Sequence, residues 1–448
     1  MTWLIRILIA IGLLLGIALV LPYFIAFNDY IPDIEKAIST ELKEPVSIKN
    51  IKFSSLPRPH LTVDGISVGT NEDIKLNKII LIPDIFSLLK SPIVIKSIEI
   101  DSPIISQQAF SKVIALSKAS ADSASQQSLP IRVENIRLVN ALIKFGKVGL
   151  GPFDSRIDLN NNGKLVEASI KTSDEALNIS IKPDQSSYLI DVNAKKWILP
   201  IGPPLLLDEL NMNGIATSND VIFSKINAKL YDGSASGSIS LSWLKVYKLN
   251  GNLDIHQVEM QKIASMLSSK THFSGKLEAK PIFSASANTA DQLINNLHLE
   301  TPFKVQSGVL YGIDIQKAAT SIIKSGSTGG ETRFDQLSGQ LAMAHNSYHF
   351  TQLKIASGTL AVDGNVNISA KKELSGRINT KVKAVGISTE VPLNVTGTVE
   401  SPLLYPTGAT IAGAALGTAI MGPGVGTSVG AKVGGWVDNM LGGNKTNH

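Results

Sequence analysis

The chain has 448 residues, 44% of them hydrophobic, 18% charged and only 6% aromatic. It contains no cysteine, which excludes disulfides, thiol nucleophiles and cysteinyl metal sites. The formal charge of +5 is spread out rather than gathered into dense Lys/Arg blocks, so nucleic acid is not an expected partner.

From Ile7 to Phe27 there are 21 residues without a charge. As a helix this stretch would be about 31 Å long, enough for a hydrocarbon core of ~30 Å. Trp3 and Arg6 precede or open it, Leu13 and Leu19 lie within it, and Phe27 ends it. Arg6 and the amino terminus stand before the run, while Asp29, Asp33 and Glu35 follow. The positive-inside tendency then predicts a single span with a cytoplasmic N-terminus and an exported remainder. A cleaved signal peptide competes with this reading. However, cutting at Gly16-Ile17-Ala18 would leave Leu19 to Phe27 behind, and Phe24 places a bulky group where cleavage wants a small one. Lys36, Lys43, Lys49 and Lys52 follow the anchor, either as a solvated surface or within reach of anionic headgroups.

Ile31, Ile34, Ala37, Ile38 and Leu42 recur at helical spacing between Pro32 and Pro45. They predict a short amphipathic helix that lies near the membrane or caps a sheet. From Val46 onward the period becomes two, as in Leu177 to Lys182, Ile190 to Ala194, Ser238 to Trp243 and Val366 to Ala370. Such alternation marks strands with one apolar and one wet face. Asn161-Asn162-Gly163, Asp232-Gly233, Asn250-Gly251 and Asp363-Gly364 are read as turns, which favours antiparallel hairpins. Short helices are expected over 257–268, 290–297 and 314–324, and a flexible linker over 117–128.

The resulting segments are an anchor (1–28), a helix plus β-unit (29–116), a linker (117–129), a middle β-region (130–250), a C-terminal β-region (251–406) and a glycine-rich tail (407–448). In the tail, Gly413 and Gly417 form one small-xxx-small pair, and Gly422, Gly426, Gly430 and Gly434 repeat every fourth residue. On a helix these glycines make a flat stripe suited to a re-entrant or interfacial hairpin. The competing reading is a mobile tail.

Chemistry-bearing motifs are sparse. Of the seven histidines, only His345 and His349 are close in sequence, in a strand-like context without the glutamate of H-E-x-x-H. There is no G-x-S-x-G elbow, and the tail lacks the phosphate-loop order. No catalytic residue, metal site or cofactor is nominated, and the chain is not expected to be an enzyme.

Ile38 to Ile48, with Pro45-Val46, and Phe53-Ser-Ser-Leu56-Pro57-Arg-Pro59-His-Leu61 through Val68 resemble the opening of AsmA-family proteins of Gram-negative envelopes, although Glu44 replaces the usual glycine before Pro45. Phe273-Ser-Gly275-Lys-Leu277, Val305-Gln-Ser-Gly308-Val-Leu-Tyr-Gly312-Ile-Asp314 and Val391-Pro-Leu393 to Pro402 are similar to that family's C-terminal region. Together these matches cover about half the chain, at its two ends.

The resemblance implies an inner-membrane-anchored periplasmic protein with a long, curled antiparallel β-groove, concerned with phospholipid movement and outer-membrane biogenesis. The expected working surface is a concave apolar face contributed by Ile179, Ile181, Ile190, Val192, Ile239, Leu241, Val366 and Ile368. The expected partners are phospholipid and the inner membrane. An alternative role is assembly of outer-membrane or other envelope proteins through exposed sheet edges. Alternation by itself fits an ordinary sandwich core as well as a lipid-filled trough.

Overall fold

The computed structural model describes residues 26–70, 74–88, 91–106, 131–145, 148–200, 202–320, 329–384, 387–408, 410 and 431–432. The fold is mainly β, with 25 strands in one mixed, mostly antiparallel sheet and a few short helices. Two compact units divide the chain: 1–194 with 215–218, and 195–214 with 219–448. The expected boundary at 250 falls inside a strand, Tyr247–Glu259.

The first unit holds β1 (Val46–Ser54), β2 (His60–Val68), β3 (Ile74–Pro83), β4 (Ile93–Asp101), β5 (Ile104–Ser106), β6 (Ile131–Val133), β7 (Asn135–Phe145), β8 (Val148–Leu159), β9 (Leu165–Thr172), β10 (Leu177–Asp184) and most of β11 (Ser187–Ile198). Its helix, α1 (Ile31–Leu42), has Pro32 in its first turn and ends on Lys43 in the left-handed conformation. The predicted apolar stripe is used: Ile31, Ile34 and Leu42 pack on Val46, Ile48, Ile51 and Ile66, whereas Ile38 stays 38% exposed. Phe27, the last residue of the apolar run, lies in a 3-10 turn, its ring stacked on Phe53 at 6.3 Å.

Antiparallel pairing joins β1 to β2, β2 to β3 and β3 to β4. The favoured antiparallel pairing holds for most of the sheet but not here, because β4 pairs in parallel with β6 and β7, and β5 with β7. Parallel neighbours need a long connection, and the segment 107–130 between β5 and β6 is long enough to supply it. The expected linker 117–129 lies outside the described residues.

The second unit holds β12 (Leu206–Ala216, whose last two residues group with the first unit), β13 (Asp220–Leu230), β14 (Gly233–Ser242), β15 (Tyr247–Glu259), α2 (Gln261–Leu267), β16 (His272–Phe273), β17 (Lys276–Ala279), β18 (Ile282–Ala287), β19 (His298–Tyr311), α3 (Ile315–Thr320), β20 (Glu331–Ala344), β21 (Ser347–Ala356), β22 (Leu360–Ile368), β23 (Leu374–Ala384), β24 (Ile387–Thr398) and β25 (Ser401–Pro406). The pairings described among these strands are antiparallel, and hairpins dominate.

Tyr231 and Asp232 turn between β13 and β14 with φ of 45° and 62°, the positive pair that a two-residue type I′ loop requires. Asn250-Gly251 and Asp363-Gly364, by contrast, are not turns and lie inside β15 and β22. A side chain at Gly251 would overlap the Phe283 ring, and one at Gly364 would strike the Arg377 carbonyl and the Ile378 Cα. These glycines admit a close neighbour rather than reverse the chain.

The helix expected at 257 begins at Gln261, because Val258 is still in β15 and only 2% exposed. At 290 there is a 3-10 turn, Ala290–Gln292, and beside it Leu293 packs on Ala285 and Ala287. The helix expected at 314 is α3, with residues 321–328 outside the described set. Asp314 starts it by accepting from Lys317 N–H at 2.8 Å, and Thr332 Oγ1 accepts from Ile315 N–H at 3.0 Å. Ile315, Ala318 and Ala319 then cover Leu360, Val362, Ile378, Val382, Val391, Leu393, Val395 and Leu404, the main core of this unit.

Among the described residues no helix is long and apolar enough to cross a membrane. Trp3, Arg6, Leu13 and Leu19 of the expected anchor, and Gly413, Gly417, Gly422, Gly426, Gly430 and Gly434 of the expected stripe, lie outside those residues.

Candidate functional site

In the first unit the register aligns four predicted residues. Ile179 on β10 faces Val192 on β11, and Ile181 faces Ile190. On the other side of β10, Ile179 meets Ile170 and Ile181 meets Ala168; these pair in turn with Ser155 and Ile157 of β8. Opposite residues in an antiparallel pair project to the same face, so these rows make one apolar surface over β8 to β11. The other face carries Arg156, Ser169, Ser180 and Asp191 in one row, and Asp154, Lys171, Asn178 and Asn193 in the next. The Lys182–Glu167 pair at 3.5 Å and the Arg156–Asp158 pair at 3.0 Å keep that side wet.

The other four predicted residues belong to the second unit. Ile239 faces Phe223 on one side and on the other leads a row through Gly251, Phe283, Leu299, Met343 and Tyr348 to Ile368 and Leu374. Leu241 faces Leu249, which faces Ala285. Val366 faces Phe350 on one side and Gly376 on the other. The Phe350 ring meets Phe303 edge-on at 6.0 Å. The reverse face holds Ser238, Asn252, Glu300, His349, Asn367 and Ser375, with Ala342 and the exposed Ile282 in the same row. There Asn252 donates to Ser238 Oγ at 3.0 Å, and His349 Nδ1 lies 2.9 Å from Asn367 Oδ1.

Burial along this face is uneven, and parts of it join packed clusters: Val366 and Leu374 pack against the core under α3, and Leu241 and Leu249 against Ala285, Ala287 and Leu293. Ile179, Ile181, Ile190, Ile239, Leu241, Val366 and Ile368 are all half-buried, and Val192 is buried at 8%. Beneath α3, Leu393 and Leu404 fall to 0% and 1%. Comparable burial occurs under α1 and also on the predicted face itself, where Ala168 and Ala194 fall to 8% and 4%. Phe283, Met343, Tyr348 and Ile170 share the predicted faces and were not singled out from the sequence. Their alternation was legible, but their cross-strand partners were not.

The titrating groups serve the wet face. Arg156 beside Asp158 holds that carboxyl below the usual aspartate range, with partial burial opposing and Asn135 assisting. Lys229, 2.8 Å from Glu209, lowers the glutamate and is itself raised. Glu390, 2.8 Å from Lys381, raises that lysine. Each shift here is led by a hydrogen-bonded partner of opposite charge, across strands for Lys229–Glu209 and Lys381–Glu390 and along one strand for Arg156–Asp158. His345 sits in the β20–β21 turn with its ring 5.2 Å from His298, and His349 is exposed on β21. Among the described residues no three His, Asp or Glu side chains are grouped to hold a metal ion.

The arrangement offers apolar side chains aligned along neighbouring β-strands, backed by a largely polar face. Comparison with protein-family models, curated proteins and solved structures finds no match to this chain.

Proposed function

We propose that this protein is a lipid-binding and lipid-transfer protein, anchored in the inner membrane by its N-terminal apolar run, facing the periplasm and supporting outer-membrane biogenesis. The observation that carries this reading is the half-buried state of aliphatic side chains aligned on neighbouring strands, with hydroxyl, amide and charged groups on the reverse face. Each methylene of a lipid tail withdrawn from water onto such a face contributes about 0.8 kcal/mol, so retention of acyl chains needs no catalytic group. The resemblance of both chain ends to AsmA-like proteins points the same way.

The sheet margins weigh against a role in capturing foreign strands. Along β1, side chains of Ser39, Glu35 and Asn28 take up the N–H groups of Val46, Ile48 and Ile51. In β25, Pro402 and Pro406 lack the N–H groups that an added strand would use.

The test is a paired substitution, Ile181→Asp with Ile190→Asp, in the full chain purified from membranes by gentle extraction. Lipids recovered with the protein, measured by mass spectrometry, should fall sharply while membrane insertion is retained. Undiminished lipid recovery would overturn the reading.

A further inference from the structure

The first unit gathers large exposed apolar side chains at one end of its sheet. Leu56, 74% exposed, tips the β1–β2 loop. Ile85, Phe86 and Leu88, exposed by 52%, 81% and 50%, tip the β3–β4 loop. The register puts both loops at the same end, since Leu61 follows one, Leu81 precedes the other, and the two residues are partners. Ile131, 51% exposed, begins β6 beside Ile93, just after the same loop.

The chain also enters the unit at this end. Asn28 Oδ1 accepts from Ile51 N–H, Glu35 from Ile48 and Ser39 from Val46, so α1 runs antiparallel to β1 with its start nearest the β1–β2 loop. Phe27 stacks on Phe53 there, and Tyr30 next to it is 56% exposed. The residue before this turn is the last but one of a 21-residue run without charge.

We infer that these loop tips form a membrane-docking rim, inserted into the interfacial layer of the same bilayer that the N-terminal run enters. Water-exposed Phe, Leu and Ile on separate loops at one end of a soluble sheet are unfavourable until an apolar phase covers them. A tyrosine at the junction matches the interfacial preference of aromatic side chains. The charges at this end are mixed, with Asp29 exposed beside Tyr30. Asp84 beside the tip is engaged by Lys96 at 3.3 Å and by Phe86 N–H, whereas Arg58 on the β1–β2 loop is exposed and has no acidic partner among the described residues. Docking of this rim would hold the β1 end of the unit against the bilayer, where a lipid leaving the membrane first meets the sheet.

The inference rests on the proposed membrane anchor, so its test separates the two. The chain has no native cysteine, and Phe86→Cys, Leu56→Cys and a control, Thr70→Cys beyond the opposite end of β2, each give a unique labelling site. The full-length variants are labelled with an environment-sensitive fluorophore and reconstituted into phosphatidylethanolamine/phosphatidylglycerol vesicles, and alkaline extraction of the same samples reports integration. Labels at 86 and 56 should shift to the blue, lose quenching by aqueous iodide and gain quenching by lipids with a shallow nitroxide, while the label at 70 shows none of these changes. An integrated protein whose labels at 86 and 56 remain iodide-quenched overturns the rim and leaves the anchor standing. A protein released by alkaline extraction overturns both.

Discussion

The Glu35 carboxylate accepts a hydrogen bond from the Ile48 backbone N–H at 2.6 Å, tying α1 to the first strand of the sheet. Ser39 does the same for Val46 at 3.0 Å, and Asn28 for Ile51 at 2.8 Å. A strand margin with free N–H groups invites pairing with other chains, and covering it with a helix is one way to prevent that. Here the helix, with the 3-10 turn before it, also satisfies the margin with side-chain oxygens.

Removing that acceptor strands a partly buried N–H. Glu35→Ala should cost about 1–3 kcal/mol and speed amide exchange at Ile48, whereas Glu35→Gln keeps an oxygen in place and should cost less. Hydrogen exchange resolved to β1 reads both effects. Equal protection of Ile48 in wild type and Glu35→Ala would contradict the assignment.

Thr380 is fully buried between Val362 and Val391 under α3, and its hydroxyl has no hydrogen-bond partner among the described residues. Thr380→Val replaces the hydroxyl with a methyl of similar size and should stabilise the second unit by about 1 kcal/mol. The expected readout is a rise in melting temperature of roughly 2–4 °C.

Gly251 admits the Phe283 ring across the β15–β18 pair. Gly251→Ala should destabilise by about 1–3 kcal/mol through overpacking. Adding Phe283→Leu withdraws the ring atoms that the new methyl meets, so urea titration of the double variant should recover part of the loss. Strict additivity of the two changes would show that they do not meet.

Asp84 is subject to partial desolvation, which raises its pKa, but Phe86 N–H and Lys96 outweigh that and leave it below the usual aspartate range. A carboxylate lowered in the folded state contributes order that is present above the unfolded value, about 3.9, and is lost as pH falls through the lower folded value. Proteolysis at the β3–β4 loop should therefore be steady from neutral pH to about pH 5 and rise below about pH 4. Asp84→Asn should remove most of that dependence.

Much of the local structure was legible from side-chain order. The helical spacing of Ile31, Ile34 and Leu42 between two prolines became α1, and the alternation in Leu177–Asp184 and Gly233–Ser242 became β10 and β14. The glycines at 251 and 364 were misread because a glycine that turns the chain and one that admits a neighbour look alike in one dimension. The start of α2 was placed too early because Val258 fits either period, and its burial in β15 settles which applies.

Side-chain alternation already assigns each residue such as Ile179 or Ile239 to the apolar side of its own strand, because pleating sends neighbours to opposite faces. It carries no information about which strand lies alongside. The parallel docking of β7 on β4, the row from Ile239 to Ile368 and the degree of burial along it arise from hydrogen bonds between segments far apart in the chain. Those bonds form only once folding has brought the segments together, at an entropic cost that depends on the whole path between them.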